Sequence, residues 1–244
     1  MKPFLLLSSR AEDEAAENEY AAFLRVTGLG ENQLVRVRME AGPLPEVNLD
    51  EWSGVLVGGG PFNASDPAET KSDTQRRVEQ EFGSLLEEIV ERDFPFLGAC
   101  YGIGTLGMQQ GATIDHRYAE PIGTVAISLT EAGRADPLLE GVPETFDAFV
   151  GHKEACRDLP PTAVRLAGSR ACPVQMFRVK ENLYATQFHP ELDVAGIITR
   201  VRVYRDAGYF PPEELEAVVA SLTTALVTEP PRILANFAGR YGRE

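Results

Sequence analysis

Apolar residues enter this chain in short runs separated by helix-spaced stretches. Pro3 to Ser8 reads as a short buried strand, and Ala11 to Val26 follows with helical period, putting Ala15, Tyr20, Phe23 and Leu24 on one face. Gln33 to Met39 alternates polar and apolar with period two. After a Gly- and Pro-rich connection, Gly54-Val55-Leu56-Val57 is a continuous apolar strand that ends in Gly58-Gly59-Gly60-Pro61. The next helix is expected to open at Ser72, with Gln75 as its capping-box partner, and to carry Val78, Phe82, Leu85, Leu86 and Ile89 on one face as far as Arg92-Asp93. Pro95 to Ala99 is a further strand, and it runs directly into Cys100.

Strands that alternate with helices up to about residue 110 predict an α/β fold, a three-layer, doubly wound, mostly parallel central sheet with ligands at the carboxyl ends of its strands. From Gly123 onward the pattern changes. Gly123 to Leu129, Thr145 to Val150, Ala163 to Ala167, Val174 to Val179 and Leu183 to Phe188 are short β runs that predict an antiparallel extension. Helices return toward the C-terminus, with Glu213 to Leu226 amphipathic and a last one starting at Pro230-Pro231. The length of 244 residues and the 43% hydrophobic content suit one domain over residues 1–244, with residues 192–244 as a helical extension.

Charge narrows the partners. With 23 Lys and Arg against 37 Asp and Glu, the formal net charge is -14, which repels phosphate backbones and anionic lipid surfaces, so neither nucleic acid nor membrane is an expected partner. No run approaches the roughly 18 apolar residues of a membrane span, and the apolar run at the N-terminus gives way to Glu12, Asp13 and Glu14 too soon for a signal segment. The three cysteines, Cys100, Cys156 and Cys172, form no CxxC pair, which indicates neither a disulfide framework nor a zinc ribbon and predicts a reducing, cytoplasmic setting.

Candidate chemistry gathers at strand ends. Gly98-Ala99-Cys100-Tyr101-Gly102 has the form G-x-C-x-G between a buried strand and a helix, the thiol counterpart of a nucleophile elbow, and the helix start is expected to draw the thiol pKa toward neutrality. Taken alone, the motif fits a buried structural cysteine equally well. In Gln187-Phe188-His189-Pro190-Glu191, residues two apart project to one side of an extended chain, so Glu191 can orient His189 as a general base. The N–H of Tyr101 and the N–H of Gly60 are candidate donors for an oxyanion; Pro61 has none to offer. By itself the triple glycine also fits a plain turn or a phosphate nest, but no G-K-[ST] follows to make a Walker loop. His116, Cys156 and Cys172 carry no such context and read as structural.

In order and approximate spacing, G-G-G-P, G-x-C-x-G and Q-F-H-P-E resemble the class I glutamine amidotransferases, and in particular the amidotransferase domain of GMP synthase. The resemblance covers residues from about 50 to 191. It implies a flavodoxin-like fold. It further implies that Cys100 attacks the side-chain amide of glutamine, that His189 moves the proton that releases ammonia, and that water cleaves the thioester. Glu120-Pro121-Ile122-Gly123 is similar to the family's E-I-G segment, and Val150 to Glu154 to its S-H-x-D loop, which makes His152, with Gly59, a candidate substrate contact. No cofactor and no metal are implied.

Two positions depart from the family pattern: Gly104 stands where the elbow usually continues to Gln, and Gly58 where relatives often carry Ser. The expected substrate is therefore glutamine or a γ-glutamyl amide. Ammonia would pass to a separate synthase partner or to solvent. The alternative readings are a γ-glutamyl peptidase or hydrolase with the same residues and a catalytically silent regulatory subunit.

Overall fold

A computed structural model of the chain describes residues 2–242. Its elements run in the order β1 (Phe4–Ser8), α1 (Asp13–Thr27), β2 (Leu34–Arg38), β3 (Gly54–Val57), α2 (Asp73–Glu91), β4 (Phe96–Ala99), α3 (Tyr101–Gln109), β5 (Thr113–Asp115), β6 (Glu120–Leu129), α4 (Glu131–Ala135), β7 (Thr145–His152), β8 (Ala155–Asp158), β9 (Ala163–Gly168), β10 (Met176–Val179), β11 (Leu183–Thr186), α5 (Val194–Val203), α6 (Leu215–Thr223) and α7 (Pro231–Tyr241).

Nine strands form one sheet in the order β2-β1-β3-β4-β11-β10-β9-β6-β7. The first five are parallel to one another, and the rest continue antiparallel. This is the parallel sheet with an antiparallel extension that the sequence pattern predicts. β5 and β8 pair separately as a two-stranded ribbon.

The continuous apolar runs follow from burial on both faces. In β1, Phe4 and Leu6 pack with Phe23 of α1 and with Ile233, Leu234 and Phe237 of α7. The alternate residues Leu5 and Leu7 pack on the opposite face with Val78, Phe82 and Leu86 of α2 and with Ile103 and Leu106 of α3. A third cluster joins Phe149 of β7 to Ile197 and Val201 of α5 and to Leu222 of α6.

Helix ends agree with their chemistry, with some adjustment. Ser72 caps α2 by accepting from the Gln75 N–H at 3.1 Å, but the Gln75 side chain donates to Asn63 O and Glu79 instead of closing the capping box. α6 is shorter than the amphipathic pattern predicts, because a 3-10 turn over Pro212–Glu214 precedes it. Leu226, at the far end of that pattern, is 83% exposed. No described helix is long and apolar enough to cross a membrane.

Candidate active site

Parallel strands bring their carboxyl ends to one edge of the sheet. Arg10 follows β1 there, Gly58-Gly59-Gly60 follows β3, Cys100 follows β4 and His189 follows β11. Cys100 sits at φ 54°, ψ -84°, a region that costs an ordinary side chain on the order of 1–3 kcal/mol and persists only where the surroundings enforce it. The enforcement is local. The Cys100 N–H donates to Thr186 O at 2.7 Å, and Gly98 packs so closely on Gly102 that a Cβ on Gly98 would lie 2.6 Å from the Gly102 Cα. This contact is why the motif needs glycine there.

Cys100, His189 and Arg10 converge beside Gly59. A Cβ built on Gly59 would stand 2.6 Å from His189 Cε1, 2.9 Å from Arg10 Nη2 and 3.5 Å from Cys100 Cβ. Glycine is what lets the imidazole and the guanidinium close against the backbone here, since no Cβ fits between them. Cys100, His189, Arg10 and Gly60 share the lining of a small cavity of about 30 Å³ with Gly151, Arg200, Tyr204 and Tyr209. Tyr101 opens α3, so its N–H is among those a helix leaves without an internal partner.

His189 is held by its own backbone, whose N–H donates to Phe149 O at 3.0 Å, and by Glu191, whose Oε1 lies 2.9 Å from Nδ1. Arg200 Nη1 lies 3.1 Å from the same nitrogen and 3.0 Å from Glu191 Oε1; with its proton donated to that carboxylate, Nδ1–H pairs with Glu191 and Nε2 is the accepting nitrogen. Burial lowers the His189 pKa below its ordinary value, with Glu191 working against it and Arg200 and Arg10 reinforcing it. Burial thus favours the neutral imidazole. Burial alone would raise Glu191, but His189 and Arg200 beside it hold its carboxylate well below the usual range.

The thiol departs from expectation. Burial pushes Cys100 up to about 12; Arg10 opposes the rise, and Glu154 and Glu191 add to it. Desolvation of the thiolate exceeds what the neighbouring Arg10 and Arg200 offset.

Behind the triad lies a chain of buried charges that the sequence motifs do not reveal. Arg200 Nη1 is 3.0 Å from Glu191 Oε1, its Nη2 is 3.3 Å from Glu19 Oε2, and Arg10 Nε is 2.8 Å from the same Glu19 oxygen. Glu19 is fully buried, and Arg10 and Arg200 nearly so. The signal that could have found Arg10 is its position immediately after a buried strand, like Gly58 and Cys100. Glu19 and Arg200 carry no such mark.

Both departures from the family pattern are filled by buried glutamates. A Cβ on Gly58 would meet Glu19 Oε1 and lie 2.6 Å from its Cδ. A Cβ on Gly104 would lie 2.6 Å from Glu154 Oε1, and Glu154 accepts from Ala64 N, Ser65 N and Ser65 Oγ at 2.8, 2.8 and 2.6 Å. Glu154 thus ties the segment that follows Gly60 to the loop after β7.

His152 is placed differently from Cys100 and His189. Its Nδ1 lies 2.9 Å from Glu154 O and its Nε2 2.9 Å from Glu120 Oε2, and its neighbours Val150 and Gly151 line the cavity instead. With Cys172 these residues put three ligand atoms within 4.8 Å of one another. The donor set suits a metal poorly. Gln175 Nε2 already donates to Glu120 at 2.6 Å, and both His152 nitrogens already face oxygen atoms of the chain. His116 sits at the surface with Nδ1 2.8 Å from Lys153 O, and Cys156 is buried in the core.

Comparison with known proteins agrees with this arrangement. The family model for glutamine amidotransferase class-I matches residues 24–195. A glutamine-hydrolyzing GMP synthase subunit of Thermoplasma volcanium is 29% identical over 146 residues, 59% of this chain and 65% of that protein. The glutamine-hydrolyzing GMP synthase of Thermosipho melanesiensis is 31% identical over 107 residues, 43% of this chain and 20% of that protein. The chain thus spans less than two thirds of either relative. A glutamine amidotransferase of Thermotoga maritima shares the fold with a TM-score of 0.76 at 20% identity, over 100% of both chains. With the matched segment spanning most of the sequence and the strand-end cysteine, the chain belongs to the class I glutamine amidotransferase family.

Proposed function

We propose that this protein hydrolyses the side-chain amide of glutamine to glutamate and ammonia. Cys100 is the nucleophile, His189 the base and Glu191 its orienting carboxylate; the N–H groups of Gly60 and Tyr101 receive the oxyanion. His189 Nε2 takes the thiol proton as sulfur attacks the amide carbon, and returns it to the leaving nitrogen as the C–N bond breaks. Water then attacks the thioester with the same imidazole as base, which regenerates the thiol. Gly59 keeps the approach clear, and His152 acts at one remove, by holding the loop that carries Gly151.

The observation that carries this reading is the convergence of the Cys100 and His189 side chains on the space beside Gly59, with Glu191 on the far side of the imidazole. Ammonia release, together with covalent labelling by a diazoketone analogue of glutamine, tests it. Wild type should show both and Cys100→Ala neither; hydrolysis that survives the substitution would sink the mechanism.

Likeness to one subunit of a GMP synthase supports a separate synthase as the ammonia acceptor. Three unpaired cysteines suit a reducing, cytoplasmic setting, and the sheet that runs unbroken from β2 to β7 supports one domain. One observation favours a wider substrate range: at position 104 a Glu154 carboxylate stands in place of an amide side chain. γ-Glutamyl amides larger than glutamine are the second reading.

A further inference from the structure

The cavity is lined by a buried guanidinium, that of Arg10, which has no part in the proton transfers assigned to Cys100 and His189. The Arg10 side chain is 5% exposed, and its Nε is held by Glu19 Oε2 at 2.8 Å. Its guanidinium carbon lies 5.5 Å from the centroid of the Tyr204 ring, and Tyr204 is itself fixed by donation from its hydroxyl to Glu12 Oε2 at 2.8 Å. Nη2 is turned toward the reacting groups, on the side where Gly59 offers no Cβ. The orientation of this guanidinium is set before any substrate arrives.

Arg10 and Arg200 are balanced by Glu19 and Glu191, and Glu19 meets Arg10 at Nε, on another edge of the guanidinium from Nη2. The oxyanion does not need Arg10, because backbone donors await it at Gly60 and Tyr101.

The leaving nitrogen must come within about 3 Å of His189 Nε2 to receive its proton. Arg10 Nη2 flanks that imidazole on its Cε1 side. A group attached one carbon beyond the leaving nitrogen therefore faces the guanidinium. Ammonia has no such group. The amine of an amino acid does, and it is a carboxylate, the planar anion that the guanidinium fork matches.

We propose that Arg10 recognises a carboxylate on the leaving group, so that the site takes γ-glutamyl amino acids as well as glutamine. The inference rests on the Cys100 mechanism above. The thiol sulfur bonds to the γ-carbonyl carbon, the C–N bond breaks, and the thiol proton passes through His189 to the departing amine. A free amino acid leaves, and water converts the thioester to glutamate.

The test compares γ-glutamylglycine with γ-glutamylmethylamide, which share the scissile amide and differ in the leaving-group carboxylate. In the full-length wild type, kcat/KM should favour γ-glutamylglycine by roughly 10- to 100-fold, the range of a charge-assisted, bidentate contact. Arg10→Gln should bring the ratio close to one, as should Arg10→Gln/Glu19→Gln, which keeps the buried network neutral and guards against misfolding of the single variant. Arg10→Lys should retain the preference in reduced form. A wild-type ratio near one, with turnover that depends on Cys100, overturns the role of Arg10 and leaves the mechanism standing; so does a ratio that survives in a folded Arg10→Gln variant. Turnover that survives Cys100→Ala overturns both, whereas turnover of glutamine with none of either compound overturns the role of Arg10 alone.

Discussion

Cys100, His189 and Glu191 are the same three residue types as Cys172, His152 and Glu120, and the two trios differ in what their polar atoms are left to do. In the second, both imidazole nitrogens lie at 2.9 Å from oxygen atoms of the chain, and Glu120 and His152 face each other as register partners across β6 and β7. In the first, the glutamate engages one nitrogen, the cysteine is held at positive φ, and both side chains border a cavity. A strand ladder closes its hydrogen bonds, whereas a set of strand ends leaves some of them open. Reactivity follows from the open ones.

Substitution of the two cysteines should separate the trios most widely. Cys100→Ala should lower kcat/KM by about 10⁴-fold or more, and Cys172→Ala should leave it within about threefold; comparable losses in the two would erase the distinction. Glu191→Gln comes next, with a fall of about 10³-fold, since it removes the group that selects the tautomer. It should also displace the pH profile. The base must be unprotonated, so activity falls as pH drops through the His189 pKa, which lies below its ordinary value of 6.5. Glu191 opposes that lowering, so its loss should carry the acid limb to still lower pH; an upward displacement would contradict the charge network.

Gly59→Ala should cost about 10²-fold in kcat/KM, the scale of a displacement of about 1 Å at a reacting group, since its methyl would press on His189 and Arg10. The smallest catalytic effect belongs to His152→Ala, with kcat/KM within about tenfold of wild type. Here the damage should appear as stability, a loss of about 1–3 kcal/mol in denaturant unfolding, because buried Glu120 loses one of its two close partners and keeps only Gln175. A large kcat defect at unchanged stability would instead make His152 a substrate contact.

Much of this was legible in the sequence because the information was local. β1, β3 and β4 are continuous apolar runs bounded by glycine, proline or charge, and Cys100, His189 and Glu191 lie in two five-residue stretches with recognisable form. The remainder depends on which charged residues the fold encloses. Glu19 sits on α1 among Glu14 and Glu17 and reads like them as a solvated acid, yet it is fully buried, because Arg10 and Arg200 meet it from β1 and α5. α5 itself is rich in Val and Ile and resembles a strand; the Asp193 cap, which accepts from the Gly196 N–H at 2.7 Å, and packing on α1 make it a helix. The fall of the thiol pKa expected from the helix start failed for a related reason: that expectation counted the local dipole and not the burial.

The glycines at 58 and 104 have a bearing on how such a chain can change over generations. Each lies against a glutamate carboxylate that would obstruct even a single added carbon. A serine at 58 or a glutamine at 104 would therefore have to push that carboxylate aside. At 58 the displaced group is Glu19, the acid that holds Arg10. Each glycine is thus coupled to its glutamate, and a change at one is felt at the other.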